Sequence, residues 1–321
     1  MKKIKIKFVD FWGDFNPHDN FIINMLRKEY DCELSETPDY LFFSTFGFIH
    51  LQYRCVKIMF IGENLTPDFN ICDYALAFDH LQFGDRYMRL PLYLVRDNFK
   101  DFKPEYEFTS DEVLDRKFCS IVVSNFKNAS PMRERFFKAL SRYKPVDSGG
   151  RLWNNVGGPV EDKQQFISQY KFNIAFENSR SNGYTTEKLT DAMIANTLPI
   201  YWGDPMVGQD FNQQSFVYVN DYKSIDEVVE QIVELDSNDA LYLEMLRQPW
   251  VNDMAMFHWE EHLLAFLKNI MEKPLDEARY LTDYGMLKLR RRDMLYADFL
   301  GNKIKMNKIL SAIQTLRTHF S

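Results

Sequence analysis

The sequence predicts an α/β protein built as two similar β/α domains that face a cleft. Three observations carry this. Short apolar runs of strand type alternate with helix-type segments, twice over, along 321 residues. One charged stretch without a clear period interrupts the alternation. A chain of this length also exceeds what a single hydrophobic core usually serves. Such alternation implies mostly parallel sheets covered by helices, with ligands held beyond the carboxyl ends of the strands.

The elements follow in order. Residues 3–9 read as a strand with Ile4, Ile6 and Phe8 on one face. Asn20 to Tyr30 reads as a helix. Tyr40 to Ser44, Val56 to Ile61 and Tyr74 to Phe78 read as short buried strands. The segment from Asp97 to Asp115, with Pro104 inside it, reads as an interdomain linker. Alternation then restarts with a strand over Phe118 to Val123 and a helix over Pro131 to Tyr143, Pro standing at a first helical position. DSGGR and NNVGG are turns. A helix over Asp162 to Tyr170 and a strand over Phe172 to Phe176 come next. Then follow a helix over Thr186 to Asn196, a strand over Leu198 to Trp202, a strand over Phe216 to Val219 and a helix over Ile225 to Leu235. The expected organisation is one domain over 1–108, a second over 116–270, and a tail over 271–321.

Composition narrows the function. Hydrophobic residues make up 45% and charged residues 26%, as in an ordinary globular enzyme. The net charge of −7 argues against nucleic acid as a partner. Cys32, Cys55, Cys72 and Cys119 are scattered, as in a reducing compartment. The opening MKKIKIKFVDFW lacks the apolar core of a signal peptide, and no window reaches a membrane span. A cytoplasmic location is therefore expected. From Arg279 onward nine basic residues face three acids, leaving the tail about +6 and the rest about −13. Its apolar spacing fits either an amphipathic helix packed on the body or one lying on anionic lipid.

The chemistry concentrates in Lys171–Gly203. Thr185 or Thr186 can cap the helix that follows, whose start offers unpaired N–H groups to an anion. Lys188 in its first turn is a cation at the wrong helix end, which an adjacent anion would explain. Arg133 occupies the equivalent position one β/α unit earlier. Together they suit a phosphate, Arg133 by bidentate contact and Lys188 as a point charge. Glu177 and Glu187 would then face neutral parts of the ligand such as ribose hydroxyls, and Asn178 and Tyr184 would donate hydrogen bonds. In the first domain Glu63 follows an apolar strand and a glycine, where a partly desolvated carboxylate could act as a general base. No phosphate-loop, dinucleotide, nucleophile-elbow or zinc-protease motif occurs, nor a D-x-D pair for a metal-bound diphosphate. No metal is expected, and leaving-group charge falls to Arg133, Lys188 and the helix dipole.

The run YKFNIAFENSRSNGYTTEKLTDAMIANTLPIYWGDP resembles the signature of the α-1,3/4-fucosyltransferases, glycosyltransferase family 10. FIGENLTPDFNICDYALAFDHLQFGDRYMRLPLY and SNFKNASPMRERFF extend the resemblance, which spans about residues 1–260 and points to the short bacterial enzymes. It implies a GT-B fold of two Rossmann-like domains, one binding acceptor and one binding donor. GDP-fucose would be the donor and N-acetyllactosamine-type glycans of the Lewis antigen kind the acceptors, with linkage 1,3 or 1,4 left open. The resemblance assigns Glu63 as general base, Arg133 and Lys188 to pyrophosphate, and Glu187 to ribose. It places Asn178 and Tyr184 in the donor pocket and Ser124 and Asn125 in the nucleotide region. Some bacterial relatives carry heptad repeats before a basic tail. Here only the tail is evident, so oligomeric state stays open. Two other readings compete: the same fold with another nucleotide sugar, and a non-catalytic glycan-binding module. The second fits poorly, since a lectin has no use for paired phosphate-type cations.

Overall fold

The structure is a computed structural model that describes residues 1–124 and 129–319, with side chains as far as residue 303. The chain divides into two compact units. The first comprises residues 1–76, 83–88 and 263–321; the second comprises 77–82 and 89–262. These units, drawn by contact, are partitioned differently from the expected domains. The chain leaves the first unit near residue 89 rather than 108, and returns to it at 263 before the tail begins.

The first unit opens with β1 (Lys2–Val9), whose alternate Ile4 and Ile6 are buried. Helix α1 (Phe21–Leu26) follows, capped by the Asn20 side chain, which accepts from Ile22 N and Ile23 N. It ends sooner than expected, because Tyr30 already belongs to β2 (Tyr30–Leu34). Then come β3 (Tyr40–Phe43), β4 (Val56–Phe60), β5 (Tyr74–Ala77) and β6 (Tyr87–Arg89). The six strands lie in the order β2-β1-β3-β4-β5-β6, and the pairings from β2 through β5 are all parallel. Strands β3, β4 and β5 are buried throughout, as a sheet covered on both faces requires.

The expected linker is part of the second unit. Its charges point outward, but Phe99 and Phe102 are buried, and Phe102 packs 5.0 Å from Trp250. Residues 97–101 form a 3₁₀ turn, and α2 (Ser110–Leu114) carries a Thr109–Glu112 capping box. Aromatic burial inside a charged stretch is what the lack of period concealed.

The second unit continues with β7 (Lys117–Ile121), α3 (Met132–Leu140), β8 (Val146–Ser148), α4 (Lys163–Ile167) and β9 (Tyr170–Phe176). It is completed by α5 (Glu187–Ile194), β10 (Leu198–Trp202), β11 (Val217–Tyr218), α6 (Ile225–Ser237) and α7 (Asp239–Leu246). The five strands are parallel in the order β11-β10-β9-β7-β8. Phe136, Phe172, Phe176, Ile200 and Ile232 contribute to its core.

Helix α8 (Trp259–Met271), the short α9 (Leu275–Ala278) and α10 (Gly285–His319) close the chain. Met271 O accepts from Lys2 Nζ at 2.6 Å, and Asp73 accepts from the backbone N–H of Tyr280 and Leu281. Arg290 reaches Asp68 at 3.1 Å, so the start of α10 is tied to the first unit. Beyond that tie Tyr284, Met286, Tyr296 and Phe299 stay exposed. Among the described residues no helix is long and apolar enough to cross a membrane.

Candidate active site

In a sheet of order 2-1-3-4-5, consecutive connections run opposite ways at one place, and the loops there part to leave a crevice. In the second unit that place is the carboxyl end of β7 and β9. The loop after β7 leads to α3, and the loop after β9 leads to α5. Arg133, Glu177, Asn178, Tyr184, Glu187 and Lys188, singled out in the sequence, lie along these connections or at the helix starts they lead to.

Arg133 sits in the first turn of α3, almost fully buried. Its Nη2 donates to Phe176 O at 2.8 Å and to Asn178 Oδ1 at 2.9 Å, so it crosses from the helix to the end of β9. Its Nε has no partner among the described residues. Burial pulls its pKa down and Glu177 pushes it back up, but a guanidinium stays charged at any ordinary pH. A buried cation with a spare donor has the means to hold an anion.

Lys188 follows Glu187 at the start of α5. Its Nζ lies 2.7 Å from Thr186 Oγ1, 3.0 Å from Glu177 Oε2 and 3.5 Å from Glu187 Oε1. Glu177 is wholly buried and accepts from Thr186 N and Thr186 Oγ1, both at 2.7 Å. Here the sequence reading needs correction. Glu177 does not face a ribose; it folds back to cap α5 and is itself an anion beside Lys188. The cation at the wrong helix end therefore has an internal explanation. Burial holds the Glu177 carboxyl above its usual range against the pull of Lys188, and three donors converge on its oxygens. Burial opposes the charge on Lys188, yet Glu177 and then Glu187 hold its pKa above the usual lysine range. Burial likewise raises Glu187, but Lys188 and then Lys163 win and bring it down to about 2.

Gly203 makes the Glu177 arrangement possible. A Cβ at that position would stand 2.5 Å from Glu177 Cγ. Asp204, missed in the sequence, organises the loop between β9 and α5. It is buried and accepts from Gly183 N at 2.6 Å, Met206 N at 2.7 Å and Thr185 Oγ1 at 3.1 Å. Gly183 has φ +80° and no room for a side chain against Phe78 O. An Asp directly after a strand-ending Gly was the available signal.

The remaining residues divide. Asn178 accepts from Arg133, and the Tyr184 ring is buried edge-on against Phe78 at 5.1 Å. Ser124 is exposed just after β7. Asn125 lies outside the described residues. A pocket of about 430 Å³ opens beside α3, lined by Arg135, Arg180, Trp202, Tyr222 and Lys223 among others. Glu63 belongs to the first unit, on a bend after β4, and is exposed, where solvent and ligand can reach its carboxylate. Among the described residues no group of three or more His, Cys, Asp or Glu stands ready for a metal ion.

Comparison with known proteins gives this geometry a family. Residues 6–96 match the α-(1,3)-fucosyltransferase FucT N-terminal domain, and residues 115–277 match the glycosyltransferase family 10 (fucosyltransferase) C-terminal domain. The chain is 37% identical over 317 positions to the α-(1,3)-fucosyltransferase FucT of Helicobacter pylori, covering 84% of this chain. It spans 66% of that relative's length, just under two thirds. A crystal structure of an α1,3-fucosyltransferase is 34% identical and superposes with a TM-score of 0.75, over 85% of this chain and 91% of the other. One of an α1,3-fucosyltransferase with GDP-fucose is 33% identical with a TM-score of 0.70, over 85% and 92%. Two parallel sheets with a GT-B relative's fold, and both domain matches in their proper order, show that the chain belongs to glycosyltransferase family 10, the fucosyltransferases.

Proposed function

We propose that the chain transfers L-fucose from GDP-fucose to a hydroxyl of N-acetylglucosamine in an N-acetyllactosamine-type glycan. The observation that carries this reading is Arg133, buried at the β7/β9 switch point one loop from Lys188, its Nε unpaired among the described residues. A diphosphate gains from both cations and from the start of α5. The relative solved with GDP-fucose supports the same donor here.

The reaction is a single inverting displacement. Glu63 takes the proton of the acceptor hydroxyl, and that oxygen forms a bond to C1 of fucose. The bond from C1 to the phosphate oxygen breaks, and GDP departs with its electron pair. Inversion at the β-linked donor gives an α-fucoside, with one base and no protein nucleophile. Arg133 and Lys188 meet the charge that grows on the leaving diphosphate, so no obligatory metal is invoked. Glu187 reaches toward the ribose hydroxyls, while Glu177 keeps Lys188 and α5 in place. The net positive charge of the tail suits contact with anionic lipid.

The test is an acceptor screen with GDP-fucose, with the product linkage read by NMR. An α-fucoside of N-acetylglucosamine is expected. Ligand-induced stabilisation across GDP-fucose, GDP-mannose and UDP-sugars checks the donor; stronger stabilisation by a UDP-sugar would overturn it.

A further inference from the structure

The first unit has a switch point of its own. Its strand order reverses between β1 and β3, so the loops after those strands part at the carboxyl edge. Asp10 ends β1 and ties the two loops together. Its carbonyl oxygen accepts from Phe46 N at 3.0 Å. Its carboxylate accepts from Ile49 N at 3.1 Å and from His50 N and His50 Nδ1, both at 2.8 Å. Asp10 holds φ +59°, left-handed backbone that a non-glycine residue adopts at some cost. Gly47 has no side chain to spare, because a Cβ there would overlap the Asp10 carboxylate. His50 is buried, and Phe43 stacks on its ring at 4.1 Å.

This pinned loop presents its large side chains to solvent. Phe46 is 52% exposed, Phe48 40% and Ile49 49%. Strand β4, the neighbour of β3, ends at the same edge with Glu63 and with Leu65, 53% exposed. A loop held by four hydrogen bonds and a strained residue, yet turning two aromatic rings outward, is unfavourable for the fold by itself. The pairing of flat aromatic faces with a nearby carboxylate matches a pyranose. Its C–H face packs on rings, and its hydroxyls reach a carboxylate.

We propose that Phe46 and Phe48 form the platform on which a pyranose ring of the acceptor glycan rests, with Asp10 and His50 as positioning residues that hold it. The proposal rests on the reading of Glu63 as the base. It sets acceptor choice by ring stacking at the β1/β3 edge, apart from any donor contact.

The test measures acceptor binding directly, by saturation-transfer NMR on N-acetyllactosamine, alongside kinetics. Phe46→Ala and Phe48→Ala should each raise the acceptor KM at least fivefold and weaken the saturation-transfer signal. The KM for GDP-fucose and the stabilisation by GDP should not move. His50→Ala should raise the acceptor KM with little change in kcat, and His50→Asn, whose amide can still donate to Asp10, should recover most of it. Unchanged acceptor signals in both phenylalanine variants overturn the platform, as does the absence of any signal with the wild-type chain at millimolar glycan. Wild-type binding without fucoside formation defeats the proposed reaction and leaves the platform standing.

Discussion

The two sheets share one strand order but are furnished in opposite ways at their carboxyl edges. At the β7/β9 edge stand four charged side chains, Arg133, Glu177, Glu187 and Lys188, knitted by hydrogen bonds. At the β1/β3 edge stand aromatic rings, steadied by one aspartate and one histidine. Topology thus decides where a ligand sits, and side-chain chemistry decides which kind. Charge suits a diphosphate, and exposed rings suit the C–H face of a neutral sugar.

The comparison can be broken first at Glu63. Glu63→Gln should lower transfer by ~10²–10⁴-fold while leaving GDP binding near normal. Substantial residual turnover would remove Glu63 from the base role. At the charged edge, Lys188→Ala should weaken GDP by about tenfold or more and guanosine hardly at all, since a charged hydrogen bond is worth ~1.5–3 kcal/mol. Calorimetry showing equal losses for both ligands would end its phosphate role.

Smaller effects sharpen how each unit tolerates buried charge. Glu187 is depressed to about 2, so its contribution to stability is present above pH 4.5 and lost as pH falls through about 2. The stability gap between wild type and Glu187→Gln should amount to no more than about 3 kcal/mol and close over that window in urea titrations. A gap that is flat with pH would contradict the ion-pair account. In the first unit Lys57 lies buried on β4, and burial, then Arg291, lowers its pKa to about 8 from 10.5. The folded state binds fewer protons than the unfolded one between those values, so wild-type stability should rise with pH there. Lys57→Met should therefore be more stable at pH 7, by up to about 3 kcal/mol, with the advantage fading by pH 10.5. Thermal melts at pH 7 and 10 decide it.

Much of this was legible from residue patterns, for identifiable reasons. Strand β10 was expected over its observed span because Leu198–Trp202 is an apolar run bounded by Thr197 and Gly203. The α5 start was legible from its threonines, and the structure selects Thr186. β2 went unread, apart from Tyr30 at the end of the expected helix, because YDCEL is short and largely half-buried, with no run of apolar residues to mark it. β8, at three residues, gives no period at all. Of the site, Arg133 and Lys188 were visible as cations in unfavourable helical places. That Glu177 turns back across nine residues to serve Thr186 and Lys188 was not, because a charge in the sequence does not say which way it points.

The return of the chain to the first unit at residue 263 has a bearing on biosynthesis. The bond from Lys2 to Met271 joins residues 269 apart. Every residue of the second unit emerges from the ribosome before α8 is complete, whereas β1 must wait for a partner made almost last. A nascent chain stalled short of Met271 therefore holds every residue of the second unit while the first still lacks its closing segment.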